Sequence, residues 1–105
     1  MLRAYTIYDK KSNSYNTPFF ALTDEVAMRS FDDLIRDKRS VVGQHPEDFS
    51  LFFICVFDEL TGRCTEEPSG LVLVCDGMAA FGRVLRYDKD FRTMIKQMTA
   101  EPAES

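Results

Sequence analysis

Histidine and cysteine are scarce in this sequence, which has one histidine and three cysteines among 105 residues. The cysteines Cys55, Cys64 and Cys75 are odd in number and are not closely spaced. This pattern fits neither a disulfide framework nor a CxxC metal-binding turn, so we expect reduced thiols. A zinc site would need all three cysteines together with His45, without the close ligand pairs of structural zinc sites. We therefore expect no metal and no cofactor.

Long apolar runs and catalytic motifs are also absent. No stretch approaches the roughly 18–20 apolar residues of a membrane-spanning helix. The first residues, Met1 to Tyr5, are strand-like and do not resemble a signal peptide, so we expect a cytoplasmic protein without membrane contact. There is no GxxxxGK(S/T) phosphate loop, no HExxH and no nucleophile motif. We therefore predict no catalytic residue and no enzymatic activity.

Positive charge is short overall, since the formal net charge is −4. Residues 1–46 carry seven Lys and Arg against six Asp and Glu, whereas residues 47–105 carry six against eleven. Proteins that coat nucleic acid are usually strongly basic, so this acidity argues against tight, non-specific DNA coating. The first half of the chain is where a polyanion could dock.

The length and composition predict one domain. Five glycines and four prolines in 105 residues are ordinary globular usage, and a chain of this length can bury a sizeable core. We assign residues 1–100 to a single α+β domain, with residues 77–100 as a possible C-terminal extension, and expect residues 101–105 to fray.

The stretch from Leu51 to Phe57 is apolar at every position and lies between two turn signals, which predicts a strand that is buried on both faces. Strand alternation places Leu51, Phe53, Cys55 and Phe57 in one row and Phe52, Ile54 and Val56 in the other. We expect helices on one face. The other face should be covered either by the C-terminal segment or by a second copy in a homodimer. The predicted dimer interface consists of Phe52, Ile54, Val56, Leu71 and Leu73.

The remaining segments complete an α+β fold: a mainly antiparallel sheet of four to five strands, one helix packed on it and a C-terminal helix. Thr23 is the expected N-cap of the first helix, whose apolar stripe includes Ala27, Phe31 and Ile35. The other predicted strands are residues 2–9, 15–20, 63–66 and 71–75, and the C-terminal helix is predicted over residues 89–98. The pattern between Ala79 and Arg86 does not decide whether a further helix forms.

The segment His45-Pro46-Glu47-Asp48 is where an imidazole and carboxylates sit together. These groups could form an acid/base or metal cluster. The favoured interpretation is a capped turn, in which Glu47 or Asp48 accepts backbone N–H bonds and fixes the start of the central strand.

Aromatic and basic residues alternate in the first half of the chain. Single-stranded nucleic acid is held by aromatic side chains that stack on bases and by cations that meet phosphates. The predicted nucleic-acid-binding residues are Arg3, Tyr8, Lys10, Lys11, Tyr15, Arg36, Lys38 and Arg39. Any small sheet protein with solvated turns can show the same residue types.

Several blocks of the sequence together resemble the small non-structural protein of gokushoviruses, single-stranded DNA phages of the microvirus family. The blocks are Tyr5–Asp9, Tyr15 with Pro18–Phe20, Thr23–Asp37, His45–Phe49 with Leu51–Phe52, and Phe57–Gly62. The resemblance spans residues 4 to about 66 and does not include an extension after residue 76.

The resemblance implies a phage accessory protein that is absent from the virion and acts in the cytoplasm of the infected bacterial host. Its implied role is in the change from double-stranded DNA replication to single-stranded genome synthesis and packaging. We expect weak contact with single-stranded or double-stranded DNA. The alternative is a protein–protein adaptor that binds a phage or host replication or packaging protein without touching DNA.

Overall fold

The computed structural model describes residues 1–99 as an antiparallel sheet with helices, which confirms the predicted α+β class. The strands are β1 (Leu2–Asp9), β2 (Ser14–Tyr15), β3 (Phe19–Ala21), β4 (Phe49–Phe57), β5 (Cys64–Glu66) and β6 (Val72–Asp76). The helices are α1 (Asp24–Arg36), α2 (Val41–Gln44), α3 (Gly77–Tyr87) and α4 (Lys89–Thr99), with a single 3-10 turn at Pro46–Asp48. The predicted frayed tail, residues 101–105, lies outside the described residues.

The six strands form four rows. Strands β1 and β4 lie side by side in the centre, β2 and β3 share the outer edge of β1, and β5 and β6 share the outer edge of β4. The predicted strand 15–20 is split into β2 and β3 around Pro18, which has no N–H to donate to the ladder. The strand count exceeds the predicted four to five because this one predicted strand forms two.

Helix α1 begins where the sequence predicts. The Thr23 hydroxyl accepts a hydrogen bond from the Val26 N–H at 3.2 Å, and the stripe of Ala27, Phe31 and Ile35 is fully buried. The helix ends at Arg36, so Lys38 and Arg39 lie beyond it. The Ser40 side chain then caps the short helix α2, which the sequence analysis did not predict.

All four helices pack on the same side of the sheet. One core joins Leu51 and Phe53 of the central strand to Phe31 of α1, Val84 of α3 and Phe91 of α4. Of the two alternatives for the second face, cover by the C-terminal segment is wrong for residues up to 99, because α3 and α4 contribute to the same core as α1. Within residues 1–99, no helix is long and apolar enough to cross a membrane.

A β-bulge at Ile54 reverses the alternation of β4. Tyr5 pairs with Phe53 and Ala4 pairs with Cys55, so Ile54 is the extra residue on its strand. Beyond the bulge, Val56 packs against the core, whereas the Phe57 ring contacts Phe20 on the other face. The predicted row of Phe52, Ile54 and Val56 is therefore broken. We call the helix-free side of the sheet the open face; its side chains include Tyr8, Tyr15, Phe20, Phe52, Phe57 and Leu73.

Charged pairs join the helices. Arg83 of α3 binds both carboxylate oxygens of Asp32 on α1, at 2.7 and 3.0 Å, and this contact raises the pKa of Arg83 above its ordinary value. Arg36 at the end of α1 binds Asp88 at 2.8 Å, and Asp88 caps α4 by accepting the Phe91 N–H. That backbone hydrogen bond is the main reason why the pKa of Asp88 is lowered. These pairs hold α3 and α4 against α1.

Candidate nucleic-acid interface

Three aromatic rings form a cluster at one end of the open face. Tyr8 and Tyr15 are directly paired across β1 and β2, with ring centroids 4.7 Å apart. Phe52 of β4 meets both rings edge-on, at centroid distances of 6.3 and 6.1 Å. The Tyr8 hydroxyl donates to the Asn13 side-chain oxygen, while half of the Tyr15 side chain is exposed. The rings therefore hold one another in place and present one tyrosine to solvent.

Two lysines lie next to this cluster, at the tip of the β1–β2 hairpin. The Lys10 backbone N–H donates to the Asp48 carbonyl at 2.8 Å, and its ammonium donates to the Glu47 carbonyl at 3.2 Å. The Lys11 backbone N–H donates to the Asp9 carboxylate. No carboxylate within residues 1–99 lies within 4.0 Å of either ammonium group. Neither lysine is therefore ion-paired within these residues, although the Lys10 ammonium is held by a carbonyl oxygen and Lys11 shares a surface depression with Asp9, Glu47 and Asp48.

The predicted arginines have carboxylate partners in the protein. Arg39 binds Asp37 at 3.1 Å. Arg36 binds Asp33 at 2.9 Å and also binds Asp88, which caps α4. Arg3 binds Asp24 at 3.0 Å on the helix side of the sheet, at the opposite end of β1 from the lysines. A hydrogen bond with the buried Tyr5 hydroxyl is the main reason why the pKa of Arg3 is raised. These internal pairs compete with any phosphate for the three guanidinium groups.

Lys38 is also engaged within the fold. Its ammonium donates to the Gly43 carbonyl at 2.6 Å and lies 5.5 and 5.4 Å from the ring centroids of Phe81 and Phe91. Burial lowers its pKa. Of the eight predicted nucleic-acid-binding residues, Tyr8 and Tyr15 are in ring contact and Lys10 and Lys11 lie in the turn that joins their strands, whereas the other four lie elsewhere.

The predicted dimer interface does not form one continuous patch. Phe52 and Leu73 are paired on the open face, whereas Ile54 occupies the bulge and Val56 packs towards the core. Leu71 precedes β6 at the sheet edge and is exposed. The homodimer therefore stays a prediction, with Phe52 and Leu73 as the members best placed for it.

The His45–Asp48 segment is a single 3-10 turn at the same end of the molecule as the hairpin tip. The potential ligand atoms of His45, Glu47 and Asp48 lie within 4.8 Å of one another, and His45 Nδ1 is 3.9 Å from the Glu47 carboxylate. The side chains of His45 and Glu47 are more than half exposed, and Lys11 lines the same surface depression. The predicted turn is present, but no side chain caps it, and the backbone carbonyls of Glu47 and Asp48 accept hydrogen bonds from Lys10 instead.

The start of α3 is packed tightly against this turn. A Cβ atom on Gly77 would lie 1.7 Å from the Pro46 carbonyl oxygen and 2.7 Å from that of Phe49. Only glycine allows this approach of helix and turn. The turn that holds the lysine-bearing hairpin is thus itself fixed by α3.

The cysteines cannot meet at one metal ion, so the four-ligand zinc alternative is wrong. Cys75 lies in the core on the helix side of the sheet, within 3.7 Å of Arg83. Cys55 lies on the other side, where it pairs with Ala4 and neighbours Cys64 of β5. Burial is the main reason why the pKa of the Cys55 thiol is raised to about 11.

We expect only one thiol of the native protein to react quickly with Ellman's reagent near about pH 8, because the thiolate is the reactive species. Cys64 is exposed, whereas Cys55 and Cys75 are buried. All three thiols should react in denaturant, and Cys64→Ser should remove the fast phase. Fast reaction of two thiols in the native protein would contradict the burial described here.

Sequence reasoning missed a second ring pair on the open face. Phe20 of β3 and Phe57 of β4 lie with centroids 5.7 Å apart, and 52% of Phe20 is exposed. The adjacent aromatic residues Phe19 and Phe20 signal one ring on each face of a strand, since successive side chains alternate. The position of Phe57 could not be read in the same way, because it depends on the bulge at Ile54.

The chain is similar to known phage proteins. Residues 2–80 match the family model described as Phage ORF5 protein. Protein ORF5 of Chlamydia phage 1 is 34% identical over 74 residues, which cover 67% of this chain and 77% of that protein. No solved structure matches the chain.

Proposed function

Because the chain belongs to the phage ORF5 protein family, we propose that it is a non-structural accessory protein acting in the change from double-stranded replication to single-stranded genome synthesis and packaging. It acts inside the infected bacterium and not in the virion. It has no enzymatic role and works through weak contact with DNA. The observation that supports this proposal most directly is the pair of lysines without carboxylate partners beside the Tyr8–Tyr15 ring pair.

Weak binding follows from the electrostatics. The net charge is −4. Of the six predicted cations, the three arginines are ion-paired and Lys38 packs against two rings, so Lys10 and Lys11 are the two without a carboxylate or ring partner. Two phosphate contacts supply little affinity at physiological salt, because affinity for nucleic acid rises with the number of phosphates neutralised. The contact therefore suits transient action on DNA and not permanent coating.

We expect DNA binding that weakens with salt and depends on the hairpin tip. The logarithm of the affinity should fall with the logarithm of salt by about 0.7 for each single-strand phosphate neutralised. Lys11→Gln should therefore reduce the slope by about 0.7, and the Lys10→Gln/Lys11→Gln double variant by about 1.4. Fluorescence anisotropy, recorded over a series of salt concentrations, gives the affinity and the salt slope of each variant.

Arg29→Gln is the matched control, because it removes one charge from the exposed surface of α1, on the helix side of the sheet. Its salt slope should equal that of the unmodified protein. The four-fold variant of Lys10, Lys11, Lys38 and Arg39 should behave like the Lys10/Lys11 double variant, since Lys38 is held within the fold and Arg39 is paired with Asp37. Absence of binding at low salt would remove the DNA-contact proposal.

The second candidate is an adaptor that binds a phage or host replication or packaging protein without touching DNA. The overall acidity favours it, as do exposed apolar side chains such as Leu60, which is 95% exposed in the β4–β5 turn. A pull-down from infected cells separates the two proposals. A partner retained after nuclease treatment supports the adaptor, whereas a partner released by nuclease supports DNA contact.

A further inference from the structure

We propose that the open face of the sheet is a stacking platform for unpaired bases, so that the DNA contacted is single-stranded. This inference rests on the proposed DNA contact and adds the form of the DNA and the surface that recognises it. The helices all pack on the other side, and the open face carries rings that are absent from the core. Tyr15 and Phe20 each have about half of their surface exposed.

The arrangement of the rings fits the unpaired bases of a single strand better than the stacked bases of a duplex. The Tyr8–Tyr15–Phe52 cluster and the Phe20–Phe57 pair meet β1 at Tyr8 and Ala4, four residues and thus about 13 Å apart along the strand. A single strand can place separate bases on the two groups of rings. The bases of a duplex are already stacked on their neighbours, so their faces cannot reach an aromatic side chain.

The charges differ between the two ends of the open face. Lys10 follows Tyr8 by two residues at the Tyr15 end, whereas Glu66 lies opposite Cys55 towards the Phe20 end. Lys11 lies in the same turn but lines a depression with Val41 and Phe49 on the helix side. Asp76 is paired with Ser50 near Tyr8, but its carboxylate accepts the Ala79 N–H and caps α3. A phosphate backbone is therefore attracted at the hairpin end, where the exposed tyrosine lies.

A second copy of the chain is the competing occupant of this face. The exposed rings lie next to Lys10 in the hairpin turn, and aromatic rings beside a cation are the combination that holds a single strand.

The test uses the full chain and a fluorescein-labelled oligothymidylate of about 20 nucleotides, longer than the ~4–16 nucleotides covered by one oligonucleotide-binding fold. Tyr15→Leu keeps an apolar side chain but removes the ring, and it should weaken binding about 5- to 150-fold. Tyr15→Phe keeps the ring and should bind as the unmodified protein does. A duplex of the same length should bind more weakly than the single strand, and oligouridylate reports whether RNA is also accepted.

Several outcomes would overturn the platform. Equal binding by Tyr15→Leu and the unmodified protein, together with a reduced salt slope for the lysine variants, would retain DNA contact but exclude stacking at Tyr15. No binding to any oligonucleotide would remove the DNA contact itself. A molar mass from light scattering of twice the 12.1 kDa of one chain would indicate a dimer. If Tyr15→Arg restored the mass of one chain, the second copy would lie on the open face. Equal melting temperatures would show that each variant folds.

Discussion

Replacing Gly77 by alanine is expected to destabilise the protein by about 3 kcal/mol or more, because the added methyl group meets backbone that cannot move aside cheaply. The new Cβ would lie 1.7 Å from the Pro46 carbonyl oxygen. To relieve this clash, α3 must move away from the 3-10 turn, and the core contacts of Ala80 and Val84 move with it. The melting temperature should fall by roughly 10–20 °C.

Gly82 in the same helix is the matched control. Nothing lies within 4 Å of a Cβ built at Gly82, so alanine there should stabilise the protein by about 0.5–1 kcal/mol through its better helix propensity. Thermal unfolding followed by circular dichroism measures both variants. If Gly77→Ala and Gly82→Ala melted at the same temperature, the close packing of α3 on the turn would be wrong.

Phe31→Ala is expected to cost about 3–5 kcal/mol, which is a large share of the 5–15 kcal/mol that stabilises a typical domain. Phe31 is fully buried between α1 and the sheet, so its removal leaves a cavity lined by core side chains. Chemical denaturation with urea gives the free energy of unfolding. The expected result is a lower midpoint with an unchanged slope.

The comparison with Phe20→Ala tests which face of the sheet is covered. The substitution is chemically identical, but Phe20 is 52% exposed on the open face and contacts Phe57 there. We expect a loss of about 1 kcal/mol or less, since most of the ring is never transferred out of water. A loss as large as that of Phe31→Ala would show that something covers the open face in solution.

The sequence predicted the elements whose signals are local. Thr23 caps α1 as expected, and the stripe of Ala27, Phe31 and Ile35 is buried because helical periodicity is repeated within a few residues. The turn signal after the central strand is also confirmed, since this turn contains Gly62 at a positive φ of 74°, which glycine adopts readily. The central strand begins at Phe49, two residues before the predicted stretch, and ends at Phe57.

The sequence could not predict features that depend on contacts between distant residues. An unbroken apolar run contains no polar residue that shows which side chains face the core. The bulge at Ile54 could therefore not be predicted, and Val56 was assigned to the wrong face of the strand. The availability of each cation depends on partners far along the chain, as in the pairing of Arg36 with Asp88. The candidate interface therefore narrows to the hairpin end only once the fold is known, and its role in DNA binding stays a prediction.

The interrupted outer rows of the sheet limit how the chain can aggregate. An exposed strand edge offers free N–H and C=O groups to a neighbouring chain, and long, flat, apolar edges are the most hazardous. Here the outer strands have two, three, three and five residues, and Pro18 and Pro68 lie in the gaps between them. The segment with the strongest tendency to form cross-β structure, β4, is enclosed between β1 and the β5–β6 row. The most aggregation-prone part of the chain is thus held where no second molecule can add a strand to it.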